Sequence, residues 1–400
     1  MTSFFDDLET RSADAREAAQ LAALQDIMAS VAAHPGACRI EAGAVSALSD
    51  LAKLPVLRKS ELSGWQKEQP PFGGMLVKNA GHIFQSPGPI YEPGGLSHDW
   101  WHMGRFLHAI GIGADDIVQN CFGYHLTPAG MIFESGARAV GAAVVPAGTG
   151  QTELQIRAAV DIGTTAYAGT PDYLKVILDK ADEMGEQVKF TKAAVGGGAL
   201  FPAMRQAYAD RGITCMQSYA TADLGNIAYE SPALEGMIVD EGVIVEIVTP
   251  GTGDPVAEGD VGEVVVTSLN PDYPLIRFAT GDMSAVLPGQ SPCGRTNMRI
   301  KGWMGRADQT TKIKGMFVRP EQVAALVAKH DDIAKARVIA GRDGASDTMT
   351  VKIESAGGDA EAFAASVAET LKLKGAVEIV APGSLPKDGL VIEDTRDYDA

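Results

Sequence analysis

The spacing of apolar residues changes period several times along the chain, and those changes outline its elements. Residues 3–34 repeat at the helical interval: Phe4, Phe5 and Leu8 lead into Ala- and Leu-rich turns that run through Leu24 and Ile27. Pro35-Gly36 ends that run. Residues 45–51 form a shorter helical pattern, and the Pro- and Gly-rich stretch Gln69-Pro70-Pro71-Phe72-Gly73-Gly74 links into the main body. From there strands and helices alternate. Helices are predicted over 99–110, with Trp100, Trp101 and Phe106 to one side, and over 155–162 and 201–211. Short apolar strands are predicted over 116–122, 142–146, 164–169 and 193–198. That alternation implies parallel β-layers covered by helices. Residues 237–268 are rich in β-branched side chains and are broken by Thr249-Pro250-Gly251 and Glu258-Gly259-Asp260, which reads as strands joined by tight turns. Beyond residue 315 the pattern is helix 321–329, strands 336–340 and 349–354, helix 360–371 and strand 377–380. The expected architecture is α/β: a large N-terminal domain, 1–304, of β-sheets layered by helices, then a small α+β domain, 305–400.

The bulk numbers narrow the function classes. A chain of 400 residues exceeds one ordinary core, in keeping with two domains. A net charge of −17 argues against nucleic acid or an anionic membrane surface as partner, since phosphate binding needs clustered Lys and Arg. The acidic opening stretch lacks a long apolar core, so neither a secretory signal nor a membrane anchor is expected there. Cys38, Cys121, Cys215 and Cys293 are scattered singly, which indicates neither a disulfide scaffold nor a zinc ribbon and suits a reducing cytoplasm.

The densest chemistry lies over residues 274–315. Arg277-Phe278-Ala279-Thr280-Gly281-Asp282 reads as a polar strand end, and Gly305-Arg306-Ala307-Asp308 and Lys312-Ile313-Lys314-Gly315 follow it. An ionised carboxylate at a strand end suits paired hydroxyls such as a ribose diol, because it is a two-oxygen acceptor. Alone, these residues also fit a surface hairpin with a solvated Asp. Together they resemble the ribose-binding and hinge motifs of the adenylate-forming (acyl-CoA synthetase) superfamily, and of its phenylacetate–CoA ligase family in particular. The resemblance covers nearly the whole chain. Leu54-Pro55-Val56-Leu57-Arg58-Lys59-Ser60-Glu61-Leu62, followed by Pro70-Pro71-Phe72-Gly73-Gly74, is similar to that family's opening segment. Arg105, Ala109 and Gly111 fit a later helix motif, and Thr170-Pro171-Asp172-Tyr173 fits its T-P-S-Y turn.

The resemblance implies a fold, ligands and roles. The small domain becomes a mobile lid that swings at the hinge residue Asp308, beside Arg306. Asp282 takes the ribose, Tyr219 packs on adenine, Thr221 brings a hydroxyl near the phosphate, and Asp223 falls where the family has a magnesium-binding Glu. Gly197, Gly198 and Ala199 stand beside adenine and the acyl group. Phe122 and Tyr124 join Ala199 in lining the acyl pocket, and His125, in place of a family glycine, is a candidate general base. Two elements depart from the family. Its phosphate loop keeps only Ser86 and Gly88 in recognisable places; Pro87, Pro89 and Pro93 remove backbone donors, and Glu92 adds a negative charge. Its terminal catalytic Lys has no clear counterpart, and Lys387 lies instead at the position of a family Arg. Some members carry zinc near residues 231–293, but Ser231, Met237 and Ser291 leave Cys293 alone there, so no zinc is expected.

The implied activity is that of an acid–CoA ligase: a small carboxylic acid, aromatic in the family's case, becomes an acyl-CoA through an acyl-adenylate, with ATP/AMP, Mg and CoA as cofactors. The partners would be that acid or its CoA thioester, and a homodimer is one expected assembly. Both departures serve the adenylation step, so two alternatives stay open. One is an ATP-independent enzyme acting on a CoA thioester or adenylate. The other is a non-catalytic relative that binds nucleotide or acyl-CoA.

Overall fold

The computed structural model describes residues 4–32, 45–75, 77–86, 89–198, 200–249, 251–304, 307, 311–314, 316–318, 320–330, 332–343, 346–386 and 390–396. The chain divides into two compact units, Met1–Met304 and Gly305–Ala400.

The large unit is built on a 12-stranded sheet. One half is parallel. Ile117–Asn120 lies between Ala143–Pro146 and Ala166–Gly169, and Lys192–Val195 and Thr214–Thr221 extend the same run. The central strands are short and apolar because both faces are covered: all of Ala166–Gly169 is buried, whereas the edge strand Ala143–Pro146 is partly exposed. Alternation sends Tyr167, Ala193 and Val195 to one face, against the helices Thr152–Ile162 and Pro171–Met184. Ala166, Ala168 and Ala194 go to the other face, with Phe106 and Phe133. From Thr214–Thr221 onward the sheet turns antiparallel through Gly225–Glu230, Met237–Val239, Arg299–Ile300, Phe278–Leu287, Val261–Ser268 and Val243–Val248.

Two local expectations are corrected and a third is supplemented. The N-terminal helix runs only Ala13–Ala32, after a 3-10 turn at Asp7–Thr10. Polar caps cause the break: Asp6 accepts from Leu8 N–H, and Ser12 Oγ accepts from Ala15 N–H. The helix expected over 99–110 shortens to Gly104–Ala109. Asp99 and His102 sit at φ 46° and 58°, and the Asp99 carboxylate accepts from Gly104 N–H, so the side chain competes with helical pairing. The Pro-rich linker is preceded by a helix, Lys59–Glu68.

The N-terminal segment is bolted to the sheet by charge. Glu9 is fully buried and accepts from Arg295 Nε at 2.7 Å and from the Tyr229 hydroxyl at 2.8 Å. The small unit has a four-stranded sheet in the order Ala376–Val380, Ser346–Glu354, Lys335–Asp343, Ile392–Asp394. Its core draws Val323 and Leu326 from helix Pro320–Ala328, and Phe363, Val367 and Leu371 from helix Ala360–Leu371, onto Val338, Val351 and Ile353. Cys121, Cys215 and Cys293 are buried free thiols. Among the described residues no helix is long and apolar enough to cross a membrane.

Candidate active site at the carboxyl edge of the sheet

Asp282 owes its position to a bulge. In the pairing of Val261–Ser268 with Phe278–Leu287, Glu263 faces Met283 and Val265 faces Ala279, so Thr280, Gly281 and Asp282 stand opposite Val264 alone. Gly281 takes φ 75°, which a side chain would resist, and the extra residues re-aim the carboxylate. Thr280 pins the bulge: its Oγ1 donates to Val264 O at 3.0 Å and accepts from Asp282 N–H at 3.1 Å. The strand's start is anchored by buried Arg277, whose guanidinium reaches Glu246, Leu54 O and Gly253 O. The Asp282 carboxylate is nearly buried and accepts from the Tyr219 hydroxyl at 2.9 Å and from Trp303 Nε1–H at 3.0 Å. These donors fix its plane; a carboxylate offers about four acceptor sites in all.

The parallel strands end at the same edge, where ligand crevices form in such sheets. After Ile117–Asn120 comes buried Phe122, stacked on Phe133 at 4.2 Å between centroids. Tyr124 follows, half-buried; its hydroxyl accepts from Asn120 Nδ2 at 2.7 Å and bonds the Glu134 carboxylate. Burial first, then Glu134, push its pKa up, so the phenol stays protonated. After Lys192–Val195 come Gly196 and Gly197. A Cβ on Gly197 would lie 3.8 Å from Phe122 Cε1 and 4.0 Å from Thr170 Cγ2, so the strand ends converge on bare backbone. His125 is exposed on its loop. Gly198 is exposed beside Pro171. Thr221 Oγ1 accepts from Leu224 N–H at 3.2 Å and closes the turn after its strand.

That turn buries Asp223, whose Oδ2 accepts from Lys59 Nζ at 2.6 Å. Ser86 ends the strand Ala80–Ser86 and donates to the Glu92 carboxylate on the facing strand Ile90–Gly95. Glu92 is fully buried, not displayed to solvent. Burial above all, then the Asp223 carboxylate, push its pKa up to about 7, against the pull of Ser86 and Lys59. Asp223 Oδ1, Glu92 Oε2 and the buried Tyr273 hydroxyl have no hydrogen-bond partner among the described residues.

The chain is 31% identical over 329 residues to a phenylacetate–coenzyme A ligase of Aromatoleum evansii, covering 78% of this chain and 73% of the relative. The chain belongs to the phenylacetate–CoA ligase family. A phenylacetate–coenzyme A ligase of Thermus thermophilus is 27% identical, with 77% of this chain and 72% of that one covered. Among solved structures, 2-hydroxyisobutyryl-CoA ligase in complex with 2-HIB-AMP and CoA shares the fold at TM-score 0.74 and 22% identity, over 98% of this chain and 92% of that one. No protein-family model matches the chain.

Within a phenylacetate–CoA ligase framework, the structure joins Tyr219 to Asp282 and brings Phe122, Tyr124 and Gly197 to the same edge. It places Ser86 with Glu92, and Asp223 with Lys59. Gly88, Ala199, Arg306, Asp308 and Lys387 lie outside the described residues. Sequence reasoning missed Trp303, Asn120, Glu134 and Tyr273, and quoted Lys59 only as part of a motif. Trp303 was the most findable of these, an aromatic residue two positions before Gly305. Asp223 Oδ1 and Glu92 Oε2, which have no partner among the described residues, are hard oxygen donors of the kind magnesium takes, while no cluster of three or more His, Cys, Asp or Glu side chains suited to a metal occurs among those residues.

Proposed function

We propose that this protein is an acid–CoA ligase that converts a small carboxylic acid into its acyl-CoA through an acyl-adenylate. The acid's carboxylate attacks the α-phosphorus of ATP and pyrophosphate leaves; the thiol of CoA then attacks the acyl carbon and AMP leaves. The observation that carries this reading is the Tyr219–Asp282–Trp303 group at the carboxyl edge of the parallel strands. Tyr219 and Asp282 are 63 residues apart yet bonded, and by the motif resemblance they are the residues expected at adenine and ribose.

Each residue then has a task. Asp282 accepts the ribose hydroxyls while Tyr219 and Trp303 hold it in plane. The half-buried Tyr219 ring offers adenine a stacking face. Phe122, Tyr124 and the glycines at 196 and 197 receive the acyl group, and Asn120 and Glu134 fix the Tyr124 phenol. Asp223 and Glu92 would hold magnesium, which when bound screens the negative charge of the phosphates. Lys59 sits beside them as a fixed point charge for the same phosphates. Asp308 serves as hinge residue and Lys387 as the cation of the small unit. His125, exposed, is left without a step.

The test supplies ATP, Mg, CoA and a panel of small acids, and measures acyl-CoA and AMP. Acyl-CoA formation that requires ATP, with AMP released in equal amount, supports the reading. Thermal stabilisation by CoA thioesters without acyl-CoA from any acid would instead favour the ATP-independent alternative.

A further inference from the structure

The strand Thr214–Thr221 turns successive side chains to opposite faces, so Tyr219 and Ser218 point different ways. Tyr219 serves Asp282. Ser218 faces the acyl side: a Cβ built on Gly196 would lie 3.1 Å from Ser218 Oγ and 3.5 Å from Phe133 Cζ. Phe133 is the ring stacked on Phe122, and Phe122 in turn approaches Gly197. Ser218 is 7% exposed, and its hydroxyl has no hydrogen-bond partner among the described residues. An unpaired buried hydroxyl in an otherwise aromatic wall is costly, and a substrate group that bonds it would offset that cost. An acyl group of carbon and hydrogen alone would leave it unmet.

We propose that Ser218 is a specificity-determining residue that selects small carboxylic acids carrying a hydroxyl on the acyl group. This rests on the acid–CoA ligase reading and narrows it. Gly196 is part of the device, since any side chain there would press on the hydroxyl. A pocket that hydrogen-bonds a substrate hydroxyl discriminates against the analogue lacking it far more strongly than an apolar pocket rejects an added group.

The experiment compares acids in pairs that differ by one hydroxyl: phenylacetate with the hydroxyphenylacetates, and isobutyrate with its α-hydroxy acid. Ligation (kcat/KM) and binding (thermal shift in the presence of AMP) are read for the wild type, Ser218→Ala and Ser218→Thr. The expected result is a preference of about tenfold or more for the hydroxylated member of at least one pair. It should fall to within about twofold in Ser218→Ala and persist in Ser218→Thr. No preference in any pair, or a preference unchanged in Ser218→Ala, overturns the inference. If no acid is ligated yet binding still discriminates through Ser218, the ligase reading fails and the inference stands. If neither ligation nor discrimination is seen, both fail.

Discussion

Replacing Glu92 by Gln removes a buried, titrating carboxyl while keeping an acceptor for Ser86. Folding raises the Glu92 pKa from 4.5 to about 7, chiefly by burial and then by Asp223. A carboxyl raised in the folded state takes up a proton on folding. Its contribution to stability is full below about pH 4.5 and is lost as pH climbs through about 7. At about 1.36 kcal/mol per unit, the wild type gives up about 3 kcal/mol by pH 8 relative to a side chain that never ionises. At pH 5 the same comparison leaves less than about 1 kcal/mol. Glu92→Gln should therefore raise the melting temperature by roughly 5 °C or more at pH 8, and by only about 1 °C at pH 5. Buried Asp240, also pushed up to about 7, gives both proteins a common background slope, so the difference between them isolates Glu92. Calorimetry in EDTA, across pH 5 to 8, is the assay. A pH-independent difference, or destabilisation by Gln at pH 8, would show that Glu92 folds ionised. Adding Mg should then stabilise the wild type and not the Gln variant, because the cation needs the second carboxylate.

Three further outcomes follow from the same geometry. Asp282→Ala should abolish AMP binding by isothermal titration, and wild-type AMP affinity in that variant would refute the ribose assignment; Trp303→Phe, which removes one donor, should weaken it by about tenfold. Lys59→Met leaves Asp223 buried without its ion pair; since Lys59 is a third exposed, the expected loss is about 1–3 kcal/mol in urea denaturation, recovered when Asp223→Asn is added. Glu9→Ala strands fully buried Arg295 and should cost about 3–5 kcal/mol, read as an early melting transition; a cost below about 1 kcal/mol would mean the N-terminal segment is not fastened through that pair.

Much of the framework is legible from periodicity. Four short strands of the parallel half and the helix Ala360–Leu371 follow directly from runs of apolar residues and their spacing. Motif order likewise links Asp282 and Tyr219, although the expected strand end at Asp282 is instead a bulge inside the strand Phe278–Leu287. The missing parts depend on register and on which way a side chain turns. The bulge at Thr280–Asp282 is invisible in sequence except through Gly281, and Trp303 reaches Asp282 only because of how the chain returns to the sheet.

Glu92 is the instructive failure. Read as charge alone, it seemed to stand in the way of a phosphate. At the start of its strand, Ile90–Gly95, Ile90 and Glu92 are buried and Tyr91 between them is exposed, before the buried run Pro93-Gly94-Gly95. Period-two spacing from Ile90 already puts Glu92 on the inward face. A carboxyl forced inward must find donors, shed its charge or meet a cation, because an unpaired buried charge is costly. Ser86, six residues earlier on the facing strand, supplies the donor, and Asp223 supplies the repulsion that favours the proton. The altered loop thus reads as a site whose charge depends on what occupies it, and nucleotide binding should be coupled to proton release at Glu92 whenever magnesium enters with the phosphates. Titration of Mg-ATP in two buffers of different ionisation enthalpy measures that coupling. Equal heats in both would mean that Glu92 does not change protonation on binding.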